Sequence, residues 1–167
     1  MIMPAFGAIE ATAFSTWLRE SSSIFGFWLI LSVHAIGMGM LIGASGLLAL
    51  RFFGVATDLS VRLLRRLYPL IWIGFWLQVA SGLLLLFAYP TKNLTNLDFY
   101  LKMGLIWGAM ATLLRLKRVA FDDSTLNDVA LVNRGRVLVV VALLLWMGAL
   151  TAGRLLAYTA TYLTYPG

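Results

Sequence analysis

The chain contains no cysteine and a single histidine, His34, among its 167 residues. Without thiols it can form no disulfide, no iron–sulfur cluster and no covalently attached c-type haem. With one imidazole, a single copy cannot supply a bis-histidine pair or a three-histidine zinc site. Any metal or haem ligation through an imidazole of this chain therefore depends on His34.

Charge is also scarce. Charged residues make up 12% of the chain and hydrophobic ones 61%, and the mean hydropathy is +0.89. This composition exceeds what a soluble domain can bury and is typical of an integral membrane protein. A helix crosses a bilayer with about 20 apolar residues. Four segments meet that length, approximately 24–50, 67–88, 99–116 and 137–160.

The predicted fold class is all-α, an integral membrane four-helix bundle. The chain shows no repeat and no linker, so residues 1–167 are expected to form a single transmembrane domain. Ahead of the first span, Phe14, Trp17 and Leu18 recur at helical spacing beside Arg19. This pattern indicates an N-terminal interfacial helix that lies along the membrane surface.

The basic residues predict the orientation of the chain. Nine of the thirteen lie between spans one and two or between spans three and four: Arg51, Arg62, Arg65, Arg66, Arg115, Lys117, Arg118, Arg134 and Arg136. The positive-inside rule places these loops in the cytoplasm and both termini outside. These charges are expected to attract anionic membrane lipid. They lack the interleaved aromatics of a nucleic-acid surface, so no nucleic-acid partner is expected.

Glycines are grouped on the helices. In span one Gly39, Gly43 and Gly46 lie on the face opposite His34, and in span three Gly104 and Gly108 lie opposite Lys102. Small residues at such spacing favour close helix packing in lipid. We expect these faces to pack within the bundle or between protomers, as in an oligomer or a subunit of a complex.

Three ionisable groups are predicted to enter the hydrocarbon from the outer side: His34, Lys102 and Arg154. No acidic residue lies inside a span to pair with the two cations, and burying unpaired charge there is costly. Haem propionates, a quinone head group or a lipid phosphate would each supply the missing anion or acceptor. Alternatively, Lys102 snorkels to the surface and Arg154 bonds helix-end carbonyls.

Neighbouring residues extend this candidate site. Gly37 is expected to leave space beside the imidazole, Met38 lies on the His34 face, and Tyr158 shares the face of Arg154. In an alternative interpretation His34 makes only a structural hydrogen bond to another helix. Gln78 in span two is interpreted as an interhelical hydrogen-bonding residue.

Three short stretches resemble a known group of proteins: Val33–Gly37, Asn96–Met103 and Ala152–Tyr158. Together they resemble an uncharacterised bacterial family of small four-helix membrane proteins. More distantly the chain is similar to the membrane domain of copper-resistance protein D and to the haem-containing bacterial protoporphyrinogen oxidase. His34 and Lys102 stand at positions that match the haem-associated pair of that oxidase. The resemblance implies a bacterial inner-membrane protein with haem b, and both termini would then be periplasmic.

The sequence thus favours a membrane redox protein, or a subunit of a redox complex, that holds a b-type haem in the outer half of the bundle. His34 would be the axial metal ligand, Lys102 or Met38 the second ligand, and Arg154 would clamp a propionate. A quinone or another redox protein would be its partner. Two alternatives remain. One is a copper-handling protein using His34, Met38, Met103 and Met147; the other is a non-catalytic scaffold or anchor subunit.

Overall fold

The computed structural model describes residues 3–21, 23–55, 57–122 and 127–164, and within these ranges the regular structure is all helical, as predicted. The α-helices are α1 (Met3–Glu10), α2 (Ala13–Glu20), α3 (Phe27–Phe52), α4 (Tyr68–Ala88), α5 (Pro90–Leu94), α6 (Leu97–Leu116) and α7 (Asp128–Thr164). A 3₁₀ helix over Val61–Leu67 leads into α4, and a π-helical turn over Lys117–Phe121 extends α6.

Helices α3, α4, α6 and α7 are long and apolar enough to cross a membrane. The chain is therefore a multi-pass membrane protein, which confirms the four predicted spans. Several of their ends differ from the prediction by a few residues, and the largest difference is at the start of α7. Helix α3 begins at Phe27 and not at residue 24. Helix α7 begins at Asp128, well before residue 137, because the Asn127 side chain caps its first turn by accepting a hydrogen bond from the Ala130 amide at 2.9 Å.

Local signals explain the other helix ends. Helix α3 stops at Gly54, whose positive φ of 81° lets the amides of Gly54 and Val55 bond back to the carbonyls of Arg51 and Leu50. A proline lies in the first turn of both α4 and α5, where the helix needs no amide donor. The Asn96 side chain caps α6 by accepting from the Asp98 amide at 2.9 Å.

The four long helices pack in a defined order: α6 against α7, α7 against α3, and α3 against α4. The backbones of α3 and α4 approach closely where a Cβ added to Gly37 would lie 3.0 Å from the Gly74 carbonyl oxygen. Helices α4 and α6 meet mainly near one end. There the Tyr68 hydroxyl donates to the Leu113 carbonyl at 3.0 Å, and the rings of Phe75 and Trp107 stand edge to face at 5.8 Å. Beyond this pair the two helices separate.

We call the half of the bundle next to the arginine-rich loops the basic half. The other half, where α4 and α6 separate beyond Phe75, is called the cleft half. The basic half contains a dense core. Its fully buried members include Leu48, Phe52, Val61, Leu64, Leu116 and Leu131. The Phe121 ring contacts both the Phe52 and Tyr68 rings edge to face.

The two short N-terminal helices lie at the end of the cleft half. Ser15 of α2 donates to the Phe87 carbonyl at 2.9 Å, and Arg19 donates to the Ala88 carbonyl at 3.0 Å, so α2 is bound to the last turn of α4. Phe14 and Trp17 are about half exposed while Leu18 is buried. The predicted helix is therefore present, and its exposed aromatics are typical of a helix at the membrane surface.

The glycine faces of α3 and α6 are used less than expected. A Cβ added to Gly39, Gly43, Gly46 or Gly104 would have no heavy atom within 4 Å, and at Gly108 it would meet Leu145 at an ordinary 3.5 Å. Within the described chain, close packing occurs instead at Gly37, Gly74 and Gly135. Packing of the outer glycine faces between protomers stays a prediction.

Candidate functional site

The cleft half contains a cavity of about 480 Å³ between α4 and α6. Phe75 and Trp107 bound it toward the basic half, and α5 bounds it at the other end. Its walls are mainly aliphatic and aromatic. The lining residues that bear polar side chains are His34, Gln78, Tyr89, Lys92, Asn93, Lys102 and Trp107. A mostly apolar cavity with a few convergent polar groups is the usual form of a ligand site.

The His34 ring is oriented from α4. Its Nδ1 lies 2.9 Å from Ser81 Oγ, and that hydroxyl donates its own hydrogen to the Leu77 carbonyl. Toward His34 the Ser81 oxygen can therefore only accept, so Nδ1 carries the ring proton and Nε2 is the acceptor nitrogen of the ring. The backbone of α4 thus sets both the tautomer and the ring orientation through one hydroxyl.

Two donors converge on His34 Nε2. The Gln78 carboxamide nitrogen lies 2.7 Å from it, and Lys102 Nζ lies 3.4 Å from it. The other end of the amide, Gln78 Oε1, is buried and has no hydrogen-bond partner among the residues that the structure describes. His34, Gln78 and Lys102 therefore form a polar group inside the apolar cavity, with one acceptor left unsatisfied.

The Lys102 side chain packs on a glycine of α7. A Cβ added to Gly153 would lie 3.6 Å from Lys102 Nζ, so the lysine side chain lies directly over this glycine. The nearest acidic residue on α6, Asp98, accepts a hydrogen bond from Thr159 at 2.9 Å. In the described part of the chain no carboxylate is paired with the Lys102 ammonium group.

The structure brings together only two of the predicted site residues. His34 and Lys102 meet in the cavity, but Arg154 and Tyr158 are exposed and do not line it. Successive residues of a helix point about 100° apart, so the rotation of α7 that turns Gly153 toward Lys102 turns Arg154 away. Lys92 of α5, which sequence reasoning missed, is the second cation at the cavity.

Gly37 and Met38 are also misplaced by the sequence interpretation. Gly37 packs against the backbone of α4, and Met38 lies in the core at 8% exposure, so neither lines the cavity. The space beside the imidazole comes instead from Gly82, where an added Cβ would lie 3.5 Å from His34 Cε1. Helix periodicity identified the His34 face but not its neighbours on α4.

The proposed copper ligands do not come together. Met103 lines the cavity with His34, but Met38 is in the core and Met147 is 48% exposed. Among the described residues no cluster of three or more His, Cys, Asp or Glu side chains could hold a metal ion. The methionines thus form no common site in this fold.

Gln78 and Ser81 are the residues whose role sequence reasoning underestimated. Both lie on an otherwise apolar span. They are three residues apart and so share one helix face, and Gly82 follows Ser81 directly. That spacing was the available signal, since polar side chains within a span usually face the protein interior.

No family model, no curated protein and no solved structure matches this chain.

Proposed function

We propose that the protein is a membrane redox protein, or a subunit of a redox complex, that holds a b-type haem in the cleft between α4 and α6. The observation that carries this proposal is the state of His34. Its Nδ1–H is bonded to a protein oxygen, and its Nε2 lone pair lies in an apolar cavity of about 480 Å³. Histidine ligands of metals usually have this arrangement, with one nitrogen held by a second residue.

The residues of the cleft fit this group in three respects. The cavity volume is in the range of common cofactor sites, about 300–1,000 Å³. Phe75, Phe99 and Trp107 supply flat aromatic walls. Lys92 supplies a cation that could bond a propionate, in place of Arg154. When bound, a haem would supply one-electron transfer.

Each polar residue then has a defined task. His34 would hold the haem iron through Nε2, which requires the Gln78 side chain to move aside. Lys102, next to the same nitrogen, is the candidate second ligand, and the buried Met38 no longer is. Ser81 would hold the imidazole in one orientation and one tautomer. The apolar walls would exclude water, and charged side chains such as Lys102 would then have a larger effect on the reduction potential of the haem.

A visible spectrum of the purified protein after reduction with dithionite tests this proposal. We expect a Soret band with the α and β bands of a b-type haem. His34→Ala should abolish or shift the Soret band, since the chain has no other imidazole. Met38→Leu is the matched control, because it changes the other ligand candidate on the same helix and should leave the spectrum unchanged. A colourless protein that takes up no added haemin would overturn haem binding and leave the scaffold interpretation.

A quinone head group is a second candidate ligand, favoured by the unsatisfied Gln78 Oε1 beside Lys102. The amide oxygen would accept from a quinol hydroxyl, and the ammonium group would donate to a quinone carbonyl. Organic extraction of the purified protein followed by mass spectrometry tests this alternative. Quinone retained by the wild type and lost from Lys102→Met would support it, and a haem spectrum with no bound quinone would oppose it.

We further propose that the protein lies in a bacterial inner membrane with the basic half toward the cytoplasm and both termini toward the periplasm. Since the chain has no cysteine, single cysteines can report the orientation. Thr57 and Thr95 are exposed near opposite ends of the bundle. An impermeant maleimide added to intact spheroplasts should label Thr95→Cys and not Thr57→Cys, and the reverse pattern would invert the topology.

A further inference from the structure

We infer that Gln78 closes the Nε2 atom of His34 to ligands and thereby sets how tightly the cleft binds any group through that atom. It acts as a positioning residue, through a hydrogen bond that a ligand must displace. The inference rests on the proposed function only in that the ligand binds through His34 Nε2.

The first argument is competition for a single lone pair. Neutral imidazole has one acceptor nitrogen, and here that nitrogen accepts from Gln78 at 2.7 Å. Lys102 approaches the same atom at 3.4 Å, a longer contact. Gln78 is therefore the main occupant of the position that an incoming metal centre or hydroxyl would need.

The second argument is that the Gln78 side chain has an alternative place for its amide. Its Oε1 is buried without a partner in the described part of the chain, a costly state for an amide oxygen. Lys102 Nζ approaches the same imidazole nitrogen at 3.4 Å, so an ammonium donor lies beside the position that the amide occupies. If the Gln78 side chain rotates away from the ring about its earlier torsions, the amide leaves Nε2 of His34 free, and Lys102 Nζ is a nearby donor for Oε1.

The third argument concerns what cannot move. A Cβ added to Gly37 would lie 3.1 Å from the backbone nitrogen of Gln78, so the backbones of α3 and α4 are in close contact at this point. Displacement of Gln78 must therefore occur by rotation of its side chain and not by separation of the helices. The exchange is local and leaves the fold unchanged.

Two residues that bond the same imidazole are thus expected to have opposite effects. Ser81 holds Nδ1 and orients the ring for a ligand, so Ser81→Ala should weaken binding by about tenfold or more, as is typical when the residue behind a metal-bound histidine is lost. Gln78 occupies Nε2, so Gln78→Leu should strengthen binding by about two- to tenfold, the range that corresponds to the loss of one hydrogen bond. If Gln78 were only a structural link between helices, both substitutions would weaken binding.

Carbethoxylation of His34 by diethyl pyrocarbonate tests the inference without any haem. The reagent acylates the unprotonated imidazole nitrogen, and the single histidine makes the signal specific to this site. We expect Gln78→Leu to react about two- to tenfold faster than the wild type. Gln78→Asn, which is too short by one methylene to reach Nε2, should react equally fast and serves as a polar variant if the leucine variant does not fold. Ser81→Ala should not react faster. Equal rates for the wild type and both Gln78 variants would overturn the inference, as would equal acceleration by Ser81→Ala.

Titration with haemin, followed at the Soret band, separates this inference from the proposed function. Tighter binding by Gln78→Leu and Gln78→Asn together with weaker binding by Ser81→Ala supports both. Haemin binding that is unchanged or weakened in the Gln78 variants overturns the inference and leaves haem binding intact. If no variant binds haemin, the proposed haem site fails, and the carbethoxylation rates still decide whether Gln78 closes Nε2.

Discussion

The basic half and the cleft half are built from the same four helices, yet one is solid and the other is open. In the basic half α4 and α6 are joined by the Tyr68–Leu113 hydrogen bond, and the core between them is filled. In the cleft half the same two helices separate around a cavity of about 480 Å³. The difference shows that a four-helix bundle can pack densely in one half and leave a cavity in the other.

Glycines mark this difference at atomic scale. A Cβ added to Gly135 in the basic half would lie 2.3 Å from Phe52 Cε1 and 2.7 Å from Leu116 Cδ1. A Cβ added to Gly82 in the cleft half would meet His34 Cε1 at 3.5 Å, an ordinary van der Waals contact. The first glycine is needed for packing, whereas the second leaves room beside a polar group.

The largest effect on stability is expected from Gly135→Ala. The added methyl would collide with two side chains, Phe52 and Leu116, that are at most 1% exposed and cannot swing aside. Overpacking of this kind costs about 1–3 kcal/mol. Thermal unfolding in detergent measures it, with Gly82→Ala as the matched control that should unfold close to the wild type. Equal melting temperatures for the two variants would show that the halves do not differ in packing density.

A smaller loss is expected from Tyr68→Phe. This substitution removes the buried hydroxyl that bonds the Leu113 carbonyl across α4 and α6, while the ring can still pack on Phe121. The expected cost is about 1 kcal/mol, typical of one hydrogen bond. Tyr100→Phe is the control, since its hydroxyl bonds the Leu94 carbonyl at an exposed position. If both variants lose the same stability, the α4–α6 bond is not what closes the basic half.

The smallest effect is expected at Lys92, with Arg154 as its comparison. Lys92 lines the cavity and Arg154 is exposed away from it. On the proposed function, Lys92→Ala should weaken haemin binding by about two- to fivefold, the range for a partly exposed ion pair. Arg154→Ala should leave it unchanged. A loss of binding in Arg154→Ala alone would mean that the ligand lies on the other side of α7.

The pattern of hydrophobic and polar residues was sufficient to predict much of the fold. Apolar runs long enough to cross a bilayer determine four spans however the helices pack, because a membrane helix satisfies its own backbone hydrogen-bonding groups. The interfacial helix near Phe14 also followed from periodicity alone. The early start of α7 was not predicted as part of span four, because residues 128–136 include several charged and polar side chains and the helix is capped by Asn127, ahead of the long apolar run.

The candidate site divides in the same way. The sequence by itself determined that His34 is the only imidazole and that Lys102 enters the membrane near it, since composition and depth along a helix are local properties. Only the tertiary structure decided that Gln78 and Ser81 contact His34 and that Lys92 lines the cavity. It also decided that Arg154, Met38 and Gly37 do not line the cavity. The reason is that a helix's own periodicity defines which residues share a face, but the rotation and spacing of neighbouring helices depend on contacts such as Gly37 against Gly74 and Gly153 against Lys102.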